Sequence, residues 1–139
     1  MLELYKWHLG LAVPENAIRE VKAVAVTDCL FCRIVNKEIP AAIVYEDDSF
    51  MVINDINPAA PVHLLIIPRI HIASLNEAGV EDTEILGKLQ LLAAQMADVA
   101  GIAGQGYRLV NNIGEWGGQT IRHLHYHLLG GKQLGWPPE

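Results

Sequence analysis

The stretch "HLHYHLL", residues 123 to 129, sets His123, His125 and His127 at every second position. Period two is the side-chain period of a β-strand, so a strand here would project all three rings from one face and turn Leu124, Tyr126 and Leu128 towards a core. Neighbouring rings on that face would originate roughly 6 to 7 Å apart, twice the strand rise. Such a row suits either joint coordination of a metal ion or a set of nucleophile, acid and base groups. Three stacked rings serving neither purpose would place three polar groups side by side with nothing to satisfy them.

The loop just before it, "GEWGGQT", carries Gly114, Gly117, Gly118 and the hydroxyl of Thr120. Glycines let backbone N–H groups approach an anion closely. The Lys and Ser/Thr pair of a Walker loop is absent, and a glycine-rich loop by itself is commonly only a turn. Beside three histidines it reads as a phosphate site.

Further out, "FCRIVNK" (31 to 37) predicts a short helix stopped by Pro40. "AIVYED" and "SFMVIN" predict two strands of a hairpin around Asp47 and Asp48. "NPAAP" (57 to 61) reads as a loop and "VHLLIIP" (62 to 68) as a third strand. Between 81 and 100, Ile85, Leu86, Leu89, Leu92, Ala93, Met96 and Ala100 recur at helical spacing, with Asp82 or Thr83 able to cap the start. "YRLVNN" (107 to 112) is a fourth strand, and Thr120 to Leu129 a fifth that carries the histidines. Hairpin-joined strands with one inserted long helix predict an α+β fold: an antiparallel five-stranded sheet with one long and one short helix.

A chain of 139 residues, 51% of them hydrophobic, can bury one sizeable core. Residues 1 to 27, interrupted by Gly10 and Pro14, read as an N-terminal extension without assigned chemistry, and 28 to 139 as the domain; Trp7 and His8 are expected to pack or face solvent. Ten Lys and Arg against 16 Asp and Glu give a net charge of -6, which argues against broad nucleic-acid binding. No apolar run approaches the roughly 18 to 20 residues of a membrane span, so no membrane partner is expected. With only Cys29 and Cys32 and no export signal in view, a reducing cytoplasm is the expectation. "CLFC" is a C-x-x-C pair that can bind zinc, cycle as a dithiol, or be two small buried residues. Two cysteines cannot complete a tetrahedral zinc site; His71 and a strand histidine are the candidate further ligands.

"HLHYHLL" resembles the His-x-His-x-His-x-x motif of the histidine triad (HIT) superfamily of nucleotide hydrolases and transferases. "CLFCRIVNKEIPA", "VYEDD", "NDINPAAPVHLLIIPRIHI", "YRLVNNIGEWGGQTIRHLHYHLLGG" and "WPP" are similar, in order and spacing, to its Hint branch, over roughly residues 29 to 138. The resemblance implies a purine ribonucleotide ligand (an AMP or GMP moiety) and a homodimer that extends the sheet across its interface. It implies that His125 attacks the α-phosphorus to form a nucleotidyl-histidine, which water hydrolyses. His127 and His63 would contact the phosphate and leaving group, and Asn112, Gly118 and Thr120 would hold the phosphate. Asp55 would accept from both ribose hydroxyls, Leu30, Phe31, Ile34, Ile53 and Ile56 would wall the base, and Trp136 would shape the leaving-group pocket.

Many bacterial relatives bind zinc through the residues matching Cys29, Cys32, His71 and His123, so a structural zinc is implied, with no cofactor needed for catalysis. Gly135, Glu115 and Trp116 depart from the branch's usual residues around the leaving group. The activity implied is hydrolysis of the P–N bond of purine nucleoside 5′-phosphoramidates. A diadenosine polyphosphate hydrolase, or a nucleotide-binding interaction protein with incidental catalysis, are the alternatives.

Overall fold

The computed structural model describes residues 28–138; the predicted N-terminal extension, with Trp7 and His8, lies outside them. Helix α1 spans Leu30–Val35. It is followed by β1 (Ile43–Glu46), β2 (Phe50–Asn54) and β3 (Val62–Pro68). Two single 3₁₀ turns lead into α2 (Thr83–Val99), and β4 (Arg108–Val110) and β5 (Tyr126–Gly130) complete the sheet. The strand order is β1-β2-β3-β5-β4, with every neighbouring pair antiparallel. This is the predicted five-stranded α+β architecture with one long and one short helix.

Strand β3 sits at the centre and is apolar on both faces, and the period of two divides its side chains between two layers. Leu64 and Ile66 join Phe50, Val52 and Leu128 beneath Leu89, Leu92, Ala93, Met96 and Ala97 of α2. Leu65 and Ile67 join Met51 and Ile53 beneath Phe31, Cys32, Ile34 and Val35 of α1. Each fully buried Leu or Ile stabilises these layers by about 2 kcal/mol. His63 has the parity of Leu65, and His127 stands opposite Leu65 in the β3–β5 register. Both histidines therefore belong to the α1 side of the sheet.

Three predicted details differ. The fifth strand begins at Tyr126 rather than Thr120, because the preceding residues bond elsewhere: Leu124 N–H donates to the Ile72 carbonyl, and the Asn111 side chain donates to the His125 carbonyl at 3.0 Å. The fourth strand is shortened to three residues as Asn111 and Asn112 turn to side-chain hydrogen bonds with the loop and the histidine segment. Asp82 is the N-cap of α2 but makes no side-chain cap; its carboxylate accepts from Gly79 N–H instead. The alternation of the histidine stretch survives outside the ladder. Leu124 packs with Ile72 and Ala78 while Phe31 touches the rings of both His123 and His125 edge-on.

Candidate functional site

At its N-terminus, α1 begins with Cys29 as N-cap, whose Sγ accepts from Cys32 N–H. One turn of helix brings both thiols to the same end, facing the segment after β3 and the start of the histidine stretch. Cys29 Sγ lies 3.3 Å from His123 Nδ1, and Cys32 Sγ lies 3.3 Å from His71 Nδ1 and 3.5 Å from His123 Nδ1. All four residues are buried, and their ligand atoms fall within 4.8 Å of one another. Neither cysteine is in a disulfide.

A tetrahedral zinc with sulfur and nitrogen ligands has edges of roughly 3.5 Å, so the separations fit that ion. The tautomer fits as well: His123 Nε2 lies 2.7 Å from the Pro68 carbonyl, which can only accept, so Nε2 carries the proton and Nδ1 faces the sulfurs with its lone pair. Burial, with Cys29 beside it, pushes the Cys32 thiol up to about 12. Burial, reinforced by His71 and His125, holds the His123 ring down to about 4, although the Pro68 carbonyl opposes this. Two buried thiols and two buried imidazoles form a donor set for a soft divalent metal.

His125 is the next ring along. It lies buried, with Phe31 at a ring-centroid distance of 4.9 Å. Its Nδ1 lies 2.7 Å from the His123 carbonyl and must donate to it, leaving the lone pair on Nε2. Burial lowers its pKa against the opposing pull of that carbonyl and of Asp55, which favours a neutral ring able to attack. His127 stands 5.1 Å from His125 between centroids, and its Nδ1 lies 2.9 Å from His63 Nε2. Burial, followed by the nearby His125 and His63, takes His127 down to about 4. Asp55 lies 3.3 Å from His63 Nε2, and its other oxygen accepts from Asn57 N–H.

His127 and Asn112 line a cavity of about 440 Å³ with Arg108, Val110, Gly117, Leu129 and Pro138. Asn112 donates to the Gly117 carbonyl at 2.8 Å, and Gly118 takes the left-handed φ of +82° that closes this turn. Thr120 and Leu30 line a different cavity, of about 430 Å³, which also reaches Cys29 and His71. The structure thus brings together Asp55, His63, His125, His127 and Phe31. Of the residues expected to wall a base, Phe31, Ile34 and Ile53 are buried in the core layer under α1, Leu30 is 41% exposed and Ile56 is 91% exposed. Trp136 is 85% exposed.

Two residues escaped the sequence reading. Asn111 holds the His125 carbonyl, and Gln119 ties the glycine loop down by accepting from Gly114 N–H and donating to the Ala73 and Ile121 carbonyls. Amide side chains flanking a glycine loop were the available signal.

A family model described as scavenger mRNA decapping enzyme C-term binding matches residues 28–135. An uncharacterized HIT-like protein of Synechococcus elongatus is 50% identical over 111 residues, 80% of this chain and 96% of the relative. The chain belongs to the histidine triad superfamily. Among solved HIT structures, a HIT family hydrolase from Legionella pneumophila Philadelphia 1 is 47% identical with a TM-score of 0.80, covering 81% of this chain and all of that one. A Zn-bound histidine triad family protein from Mycobacterium smegmatis is 29% identical with a TM-score of 0.67, covering 81% of this chain and 83% of that one.

Proposed function

We propose that this HIT protein is a nucleotide hydrolase that cleaves the P–N bond of purine nucleoside 5′-phosphoramidates through His125. The observation that carries this reading is the hydrogen bond from His125 Nδ1 to the His123 carbonyl, which directs the Nε2 lone pair to attack. In the first step Nε2 forms a bond to the α-phosphorus as the P–N bond breaks, and the departing nitrogen takes a proton from solvent to leave as the amine. In the second, water adds to phosphorus and gives a proton back to solvent, the bond between Nε2 and phosphorus breaks, and His125 is restored with release of the nucleoside monophosphate. His127 and Asn112, on the wall of one cavity, are suited to hydrogen-bond the phosphate oxygens where charge develops. Asp55 is the ribose acceptor, favouring ribonucleotides. The hydrolase designation of the Legionella relative supports the reaction class.

In the same reading, Cys29, Cys32, His71 and His123 hold a structural zinc, as the separations and the Zn-bound Mycobacterium relative support. Bound there, zinc would brace α1 against the histidine segment and take no part in the chemistry. A homodimer that extends the sheet across its interface belongs to the same reading; β1 and β4 stand at the two ends of the sheet order. The domain begins near residue 28, and two buried free thiols suit a reducing cytoplasm.

The test is turnover of an adenosine 5′-phosphoramidate by the parent protein and by His125→Ala. Loss of turnover in the variant, with a covalent nucleotidyl adduct trapped only in the parent, is expected; equal rates would overturn the mechanism. A parallel assay on diadenosine polyphosphates separates the two hydrolase types.

A further inference from the structure

Among the described residues, two groups of ligand-type side chains lie close enough to hold a metal: the Cys29, Cys32, His71 and His123 set, and a second set of Asp55, His63 and His127. By distance alone the second resembles a two-histidine, one-carboxylate metal triad, since His63 Nε2 is 2.9 Å from His127 Nδ1 and 3.3 Å from Asp55. The backbone partners of the rings separate the two cases.

A histidine that ligates metal through one nitrogen gives the proton on its other nitrogen to an acceptor. His123 meets that rule, with Nε2–H on the Pro68 carbonyl and Nδ1 towards the sulfurs. His63 breaks it. The amide N–H of Ala59 points at His63 Nδ1 from 3.0 Å, and an amide can only donate, so Nδ1 must hold a lone pair and Nε2 must carry the proton. That proton occupies the position a metal would need. It is donated instead to His127 Nδ1, with Asp55 as a second acceptor, and His127 in turn must carry its own proton on Nε2. Freeing His63 Nε2 for a metal would require protonating Nδ1, which would set two N–H groups face to face in a buried site.

We propose that the backbone N–H of Ala59 fixes the tautomers of His63 and His127, making the two rings a one-way chain of hydrogen-bond donors, with Asp55 an acceptor beside it, rather than a metal site built on all three residues. The chain runs from Ala59 N–H to His63, from His63 Nε2–H to His127, and ends on His127 Nε2–H, on a ring that lines the 440 Å³ cavity. It cannot serve as a proton store. A proton passed from His63 to His127 would leave His63 an imidazolate beside the Asp55 carboxylate, which an amide could not reprotonate. His127 therefore keeps its proton and acts as a fixed donor, and His63 works through it as a positioning residue. That the donor serves a phosphate rests on the proposed function; the tautomers and the absence of metal do not.

The experiment uses the full chain loaded with zinc and labelled with ¹⁵N at histidine. Two-bond proton–nitrogen correlation spectra at neutral pH are expected to give His63 and His127 protonated-type shifts at Nε2 and unprotonated-type shifts at Nδ1. Finding either ring protonated at Nδ1 would overturn the proposal. Cobalt(II), added to the metal-stripped chain, is expected to saturate at one ion per chain with a thiolate charge-transfer band; a second ion that broadens the His63 and His127 signals would overturn it. Ala59→Pro removes the donor and Ala59→Gly retains it. Proline is expected to release the His63 tautomer and lower kcat about tenfold with KM little changed, while glycine matches the parent. Unchanged His63 shifts in a folded proline variant would overturn the role of Ala59. Should the proline variant fail to fold, the parent's tautomers decide alone, and they do so even if phosphoramidate turnover is absent.

Discussion

Acidifying the metal-stripped protein should destabilise it before its carboxylates titrate, and His123 sets the scale. The ring is fully buried, and burial holds it down to about 4 where the unfolded chain returns it to 6.5. A depressed histidine is neutral in both states above pH 6.5, so stability is whole there. Between pH 6.5 and 4 the unfolded chain binds the proton that the folded one refuses, and stability falls; below 4 this ring contributes no further loss. The linkage relation gives a loss of about 1.4 kcal/mol at pH 5.5 and about 2.5 kcal/mol at pH 4.5. For roughly a hundred ordered residues each kcal/mol moves Tm by about 4 °C, so the midpoint should drop by roughly 10 °C between pH 7.5 and 4.5. His127, also taken down to about 4, acts in the same window and the same direction. Glu46 and Asp47 do not confound the slope, because their lowered pKa values place their losses below about pH 4.5. Circular dichroism melts of the chelated full chain at pH 7.5, 6.5, 5.5 and 4.5 make the measurement, with His123→Leu expected to show a shallower slope. A parent midpoint constant to within a degree or two over this range would refute the reasoning.

Further outcomes follow from single contacts. Phe31→Ala, which removes a buried ring packed edge-on against His123 and His125, should destabilise the protein by about 3 to 5 kcal/mol in urea unfolding. Asn111→Ala frees the His125 carbonyl and should lower kcat about tenfold with KM nearly constant, read in phosphoramidate kinetics. Asp55→Ala should narrow the preference for ribo- over 2′-deoxyribonucleotide substrates by about tenfold or more in kcat/KM. Addition of one equivalent of zinc to the stripped chain should raise its Tm at neutral pH, and Cys32→Ser should abolish most of that rise.

Strand β3 was legible because five branched apolar side chains among seven residues ending in Pro68 admit almost no other reading, and it was found with the predicted bounds. The long helix was legible for a similar reason: its apolar residues repeat at 3.6, and the repeat selects Leu89, Leu92, Ala93 and Met96 of its buried face, although it passes over the buried Ala97 and runs on to Ala100, an exposed C-cap. The fifth strand was misjudged at its start because periodicity reports where side chains point and not what the backbone bonds to. The alternation from His123 to Leu128 is real, yet up to His125 the backbone is held by Ile72 and by the Asn111 side chain instead of a neighbouring strand. A side chain that substitutes for a ladder partner leaves no trace in hydropathy.

The same limit explains what could and could not be read at the site. Which residues carry imidazoles, thiols and carboxylates is written in the sequence, and their period and spacing gather them on the α1 side of the sheet. Which nitrogen of each ring carries the proton is decided by backbone groups, and every residue except proline offers both a donor and an acceptor. Pro68 and His123 present carbonyls, so the rings they meet keep a lone pair for metal or for attack; Ala59 presents an amide, so the ring it meets must donate. Had the chain at Ala59 turned a carbonyl to His63, the same Asp55, His63 and His127 would compose a metal site. The chemistry of each ring therefore turns on the local path of the main chain, which residue identity constrains only through the fold.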